Sequence, residues 1–281
     1  MVGKCIRSIV QCSACIALLT QRKVIQGTFQ PFLKPQQEVP DALISELLTR
    51  YSNSEGYSFF PDAKRLFRTL KTARTGTSHS PPWRWDKTII GVITNSDDRV
   101  TPILSSFGLK VGPHRAGVPN QRPLAITGEN DIDFVALSYD VGHEKPDRRI
   151  FDAATATLAS TIEAAPASAG LGCVDDYEKL YVGDSVTNDY FGAIAAGWHA
   201  VRVDRSAGVM ERGGGEEVWR NEPLETKLVR YEGKRRKMRI VRGLDELVRW
   251  TPKNRWARGA RRTSRAGRMV AEEVERLVGQ R

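Results

Sequence analysis

Residues 179–203 read KLYVGDSVTNDYFGAIAAGWHAVRV, two short apolar runs around a polar turn and an alanine-rich stretch. Lys179 to Val182 has the length and composition of a strand buried on both faces. Gly183, Asp184 and Ser185 break it. Asn188 to Ala196 reads as a small helix stopped by Gly197, and His199 to Val203 as a second strand. A strand, a helix and a strand in so short a span place the two strands side by side and parallel.

The same rhythm extends in both directions. Thr88 to Ile93 (TIIGVI) is another continuous apolar run, and Asp97 to Phe107 reads as a helix closed by Gly108. Asp133 to Tyr139 (DFVALSY) is a further strand. Pro146 opens a helix with Ile150, Phe151, Ala154 and Leu158 on one face. Alternating strands and helices predict an α/β fold, a Rossmann-like parallel sheet covered on both faces. Upstream, residues 38–72 are helical by pattern, with starts at Pro40–Asp41 and Pro61–Asp62, and residues 73–87 form a loop. Residues 206–238 look like a surface insertion, and Ile240 to Trp250 like a last core element. No internal repeat is visible.

Of the 281 residues, 40% are hydrophobic and 27% charged, too apolar for general disorder. No apolar run approaches the ~20 residues of a membrane helix, so no membrane partner is expected. Four cysteines are too few for a disulfide scaffold, and the cytoplasm or nucleus is the default compartment, ahead of the mitochondrion. Cys12 and Cys15 form one isolated pair, without the second pair that zinc needs. Residues 202–281 hold 22 Lys and Arg against 12 Asp and Glu, which is the whole net charge of +10. The basic tail from residue 251 is therefore either a solvated end or a non-specific nucleic-acid contact.

In an open parallel sheet, ligands collect beyond the carboxyl ends of the strands. Thr94-Asn95-Ser96-Asp97 follows the first strand, Gly142-His143-Glu144-Lys145-Pro146 the second, and Gly183-Asp184-Ser185 with Asn188-Asp189 the third. A hydroxyl and a lysine suit phosphoryl oxygens, and two carboxylates beside a phosphate suit Mg²⁺. Each residue has a blander reading: Asn95 or Ser96 as a helix cap, Lys145 as a surface lysine, Asp184 as a turn residue. Their joint placement at successive strand ends favours a small phosphorylated molecule as partner.

These three segments resemble the haloacid dehalogenase-like hydrolases. VITNSDDR is similar to the family's motif II, VGHEKPDRRIF to motif III and YVGDSVTNDYFGAIAAGW to motif IV. The branch most resembled is the haloacid dehalogenase-like hydrolase domain-containing 3 type, in a fungal-looking form, over residues 24–205 and 239–250. The resemblance implies Mg²⁺-dependent, phosphatase-type chemistry. Thr94 and Asn95 would hold phosphoryl oxygens, Lys145 would neutralise their charge, and Asp184 and Asp189 would serve the metal. It also implies an unmatched segment 1–23, a helical cap remnant 24–60, a core 61–250 interrupted by 206–238, and the basic tail 251–281.

One departure stands against these matches. The family's motif I is an apolar strand ending in DxDx(T/V), whose first Asp is the nucleophile. Before Thr94 the Asp residues are Asp41, Asp62 and Asp86, and none closes an apolar strand. The expectation is a chain shortened at its N-terminus, without the nucleophile and inactive as written. It would either use Ile6 to Leu19 as a substitute strand or leave two inner strand edges open. The alternative is a non-catalytic phosphate- or nucleic-acid-binding protein.

Overall fold

The computed structural model describes residues 13–75, 83, 85, 87–119, 121, 129–166, 169–207 and 224–252. Readings that fall on residues 1–12, Asp86, Gly213–Gly215 or the Arg-rich stretch from residue 253 lie outside the described residues.

Three helices come first: α1 (Ser13–Phe29), α2 (Asp41–Arg50) and α3 (Pro61–Thr75). Pro61 suits a first helical turn, where its missing N–H costs no hydrogen bond. Strand β1 (Gly91–Thr94), helix α4 (Val100–Ser106), strand β2 (Val111–Arg115) and strand β3 (Ile132–Leu137) follow. Helix α5 (Arg148–Glu163) starts where the Asp147 carboxylate accepts the Arg149 N–H, and it buries Ile150, Phe151, Ala154, Leu158 and Ile162 along one stripe. Strand β4 (Leu180–Gly183) leads into a wide turn, Val186–Phe191, and the short helix α6 (Gly192–Ala195). Strand β5 (His199–Val203), the hairpin β6 (Thr226–Tyr231) and β7 (Lys234–Val241), and a last turn Leu244–Arg249 complete the described chain.

The strands pair in parallel as expected, but in two half-sheets rather than one. The first has the order β1-β3-β2, the second β4-β5-β7-β6, with β6 antiparallel at the edge. Among the described residues, β1 and β4 each have a strand neighbour on one side only. The Asp133 N–H donates to the Ile90 carbonyl, and the His199 N–H to the Lys179 carbonyl. Successive residues of a strand turn their main-chain groups to opposite sides. So Val92 and Thr94 face β3, and Tyr181 and Gly183 face β5. Gly91, Ile93, Leu180 and Val182 face one another across a gap.

That gap is a cavity of about 1130 Å³, with Ile89 to Ile93 along one wall and Lys179 to Val182 along the other. The core records the same interruption. On one face a single cluster runs under both half-sheets, from Ile93 and Phe134 through Phe151 and Leu158 to Ala200 and Ile240. On the other face the core is split. Val201, Val203, Val241 and Trp250 pack with Leu66, while Ile132, Val135 and Leu137 pack with Phe67. Helix α3 thus straddles the gap with adjacent side chains.

Several expectations need correction. Ser13 to Leu19, the described part of the Ile6 to Leu19 stretch, lies in α1 and is helix rather than strand. Its unbroken run of residues without Gly or Pro is as compatible with a helix as with a strand. The stretch 206–238 is not only a surface loop, because its described part builds a hairpin whose second strand joins β5 through Ile240 and Val241. β2 was not anticipated. Its sequence, VGPHR, contains Gly and Pro, which suit an edge strand and weaken the apolar signal.

Candidate functional site

The carboxyl ends of β1 and β4 meet on either side of Lys145. The Lys145 ammonium donates to Oδ1 of Asp189 at 2.7 Å and to the Tyr181 hydroxyl at 2.7 Å. Both partners of the ion pair are buried, with side chains 11% and 7% exposed. The Tyr181 hydroxyl in turn donates to the Ile93 carbonyl at 2.8 Å, so one side chain of β4 reaches across the gap to β1. Burial, and then the Asp189 charge, push the Tyr181 phenol above its ordinary range. It stays a neutral donor at any working pH.

Asp189 has both oxygens committed. Oδ1 takes Lys145 and lies 3.2 Å from the Tyr181 hydroxyl, while Oδ2 accepts the Ser185 N–H at 2.9 Å. Burial opposes its ionisation, yet these donors hold its carboxyl below the usual carboxylate range. Gly183 makes room for it, because a Cβ there would meet the Asp189 carboxylate at 2.4 Å. The glycine of the strand-end turn is therefore a packing requirement of the aspartate six residues later.

Asn95 departs from the role expected for it. Its side-chain oxygen accepts the Lys145 N–H at 2.7 Å, and its amide donates to the Lys145 carbonyl at 3.0 Å. It clamps the lysine's main chain rather than presenting its amide to a phosphoryl group. Thr94, the last residue of β1, lies beside this clamp and is half-buried. Asp184 is exposed just past β4, and its carbonyl accepts from Arg202. Asp97 is tied to Arg99 and to Gln21 of α1, which fixes that helix to the end of β1.

An Asp-x-Asp pair does occur at Asp131 and Asp133, but it opens β3, at the opposite end of the sheet. Asp131 binds the Lys110 N–H and Lys71, and Asp133 the Ile90 N–H. These carboxylates fix β3 to its neighbours. Among the described residues, no three His, Cys, Asp or Glu side chains come together to hold a metal ion. With Asp189 committed to Lys145, Asp184 is the carboxylate left at the site for a cation. The described donor set alone does not make a Mg²⁺ site.

No family model matches the chain. It is 26% identical over 190 residues to an uncharacterized protein of Saccharomyces cerevisiae, covering 65% of this chain and 49% of that protein. It is 28% identical over 182 residues to a hydrolase-named protein of Schizosaccharomyces pombe, covering 65% and 60%. It is 28% identical over 137 residues to the Rhythmically expressed gene 2 protein of Drosophila melanogaster, covering 48% and 41%. The chain thus spans about half the length of the curated relatives it matches. Among solved structures it is similar to a HAD phosphatase from Thermococcus onnurineus, at 21% identity and a TM-score of 0.35, covering 61% of this chain and 60% of that one. The segments that follow β1 and β4 flank one largely buried lysine, Lys145.

Sequence reasoning placed Lys145, Asp184, Asp189 and Thr94 at one edge of the sheet; the structure joins Lys145 to Asp189 and puts Thr94 and Asp184 at the ends of the two flanking strands. It missed Tyr181 and the positioning role of Asn95. A tyrosine inside the otherwise apolar KLYV run was a signal, since a buried phenol needs a hydrogen-bond partner. No helix among the described residues is long and apolar enough to cross a membrane.

Proposed function

We propose that this chain carries the phosphoryl-handling part of a haloacid dehalogenase-like phosphatase and, as written, turns over no phosphomonoester. The observation that carries this reading is the position of Lys145. Asp189, Tyr181 and Asn95 hold it between two strand ends, one of which is Thr94. A cation so fixed would offer charge to the oxygens of a phosphate, to which the Thr94 hydroxyl would add a hydrogen bond. Asp184 is the residue that would face a cation accompanying that phosphate. A Mg²⁺ ion, when bound with its substrate, would supply further charge neutralisation.

Transfer of the phosphoryl group to the protein needs a nucleophile, and no described carboxylate occupies that position. Asp97 is paired with Arg99, and Asp131 and Asp133 lie at the far end of β3. The covalent route is therefore closed within the described residues. This favours a second reading, phosphate binding without turnover.

One experiment separates the two. Residues 1–281 are assayed with p-nitrophenyl phosphate and Mg²⁺, and inorganic phosphate binding is measured by calorimetry. Phosphate binding that weakens at least tenfold in Lys145→Met, without hydrolysis, is the expected result. Hydrolysis that disappears in Asp184→Asn would show that a nucleophile is present after all. Absence of phosphate binding would remove both readings.

A further inference from the structure

The β6–β7 hairpin carries a charge pattern that the site does not use. Its exposed cations are Arg230, Lys234, Arg235, Arg236 and Lys237, and no carboxylate pairs with any of the five among the described residues. The turn between the strands is two residues, Glu232 and Gly233, both at positive φ (48° and 74°), the geometry that closes a tight hairpin.

Register sorts these cations onto two faces. Arg230 lies directly opposite Arg235, and Leu228 opposite Lys237, on the open face. Val229 pairs with Arg236 and Tyr231 with Lys234 on the other face. That second face is anchored near the body of the protein, where Tyr231 stacks on Phe191 at 3.8 Å and Met238 is fully buried. Two guanidinium groups directly across a strand pair, with Cβ atoms about 5 Å apart, repel each other. Such an arrangement is strained by its own charge unless an anion lies against it.

We propose that this hairpin is a binding surface for the phosphate backbone of a duplex nucleic acid, with its tip entering the major groove. A two-stranded ribbon fits a groove about 12 Å wide, whose walls present phosphates on both sides. With the second face held against the body, the open face, with Arg230, Arg235 and Lys237, is the one laid into the groove. The exposed Lys234 and Arg236 at its margin add cations toward the groove walls, whereas a flat anionic membrane would engage the open face alone. The tip also points away from the candidate site. β7 runs parallel to β5, and the carboxyl end of β5 lies next to Asp184 through Arg202, so Lys234 is at the opposite end of the strand. Binding here is independent of phosphate at Lys145. It is also distinct from any contact made by the basic stretch after residue 252.

The test uses residues 1–281 and a labelled 20-base-pair duplex, with affinity measured against salt. Each lost phosphate contact lowers the log–log salt slope by ~0.9, so Arg235→Gln/Arg236→Gln/Lys237→Gln lowers it by about 2.7 and weakens binding on the order of 100-fold at 0.15 M salt. Arg235→Glu keeps the hairpin intact and replaces a repulsive pair with an attractive one. It is expected to raise the melting midpoint by about 1–4 °C while weakening the duplex complex. That combination cannot arise from misfolding. A chain ending at residue 252 keeps the hairpin-dependent part of the affinity, and 1 mM inorganic phosphate does not compete. The proposal is overturned if the triple variant binds the duplex as the parent does. It is equally overturned if the triple variant loses binding to anionic phosphatidylserine vesicles but not to the duplex, or if removing residues 253–281 abolishes all duplex binding.

Discussion

Replacing Asp189 by Asn leaves the Lys145 ammonium in place without its counter-charge. The two side chains are 11% and 7% exposed and 2.7 Å apart. Breaking a buried ion pair from one side costs about 3–5 kcal/mol, chiefly because the remaining charge is stranded. Water in the neighbouring cavity eases that penalty, so we expect about 3 kcal/mol for Asp189→Asn. Lys145→Met should cost less, about 2 kcal/mol, because Asp189 keeps the Ser185 N–H. The double variant Lys145→Met/Asp189→Leu removes both charges and should lie within about 1 kcal/mol of the parent. A total stability of roughly 5–15 kcal/mol makes the single losses easy to read. Urea unfolding followed by tryptophan fluorescence gives each value, with Asp184→Asn as the exposed control, expected within ~0.5 kcal/mol. If Asp189→Asn behaves like Asp184→Asn, the pair is not buried as described, and the positioning of Lys145 must come from elsewhere.

Other outcomes follow from the same geometry. Asp189 has its carboxyl held low, so its contribution is complete above the ordinary carboxylate pKa of about 4 and is lost as pH falls below it; Asp189→Asn should flatten that part of the acid-unfolding curve. Gly183→Ala drives a methyl into the Asp189 carboxylate, and should cost about 1–3 kcal/mol and weaken phosphate binding, read by melting and by calorimetry together. Asn95→Ala removes both main-chain contacts to Lys145 and should cost about 1–3 kcal/mol, with the phosphate dissociation constant rising while Asp189→Asn acid behaviour is unaltered. Tyr181→Phe removes the bridge from β4 to the Ile93 carbonyl and should cost about 1–2 kcal/mol in urea unfolding.

The strands at the site were readable from short continuous apolar runs such as TIIGVI and KLYV, the composition of strands covered on both faces, although β3 alone is buried throughout and β1 and β4 are half-buried beside the gap. The end of β4 was readable because Gly183 and Asp184 break the KLYV run. β2 was not, since an edge strand tolerates Pro113 and gives no such run. The hairpin was hidden by its charge. Lys234 to Lys237 looks like a solvated loop, and its strand character comes from pairing with Thr226 to Tyr231 rather than from composition. The roles of Asn95 and Tyr181 depend on contacts 50 and 88 residues away in the chain, which no local pattern encodes. The gap is different again. The absence of an acid-tipped strand before Thr94 was visible in the sequence. That β1 and β4 would stand apart around an apolar cavity, instead of closing onto each other, became visible only from the helices α3 and α5 that span both half-sheets.

The two half-sheets and the gap between them are tested most directly by residue-resolved amide hydrogen exchange on residues 1–281. Val92, Thr94, Tyr181 and Gly183 turn their N–H groups toward strand neighbours, and Gly91, Ile93, Leu180 and Val182 turn theirs toward the gap. The account predicts an alternation along both strands, with the gap-facing four exchanging at least about tenfold faster than the other four. Equal, strong protection of all eight amides would mean that a strand fills the space between β1 and β4, and would contradict it.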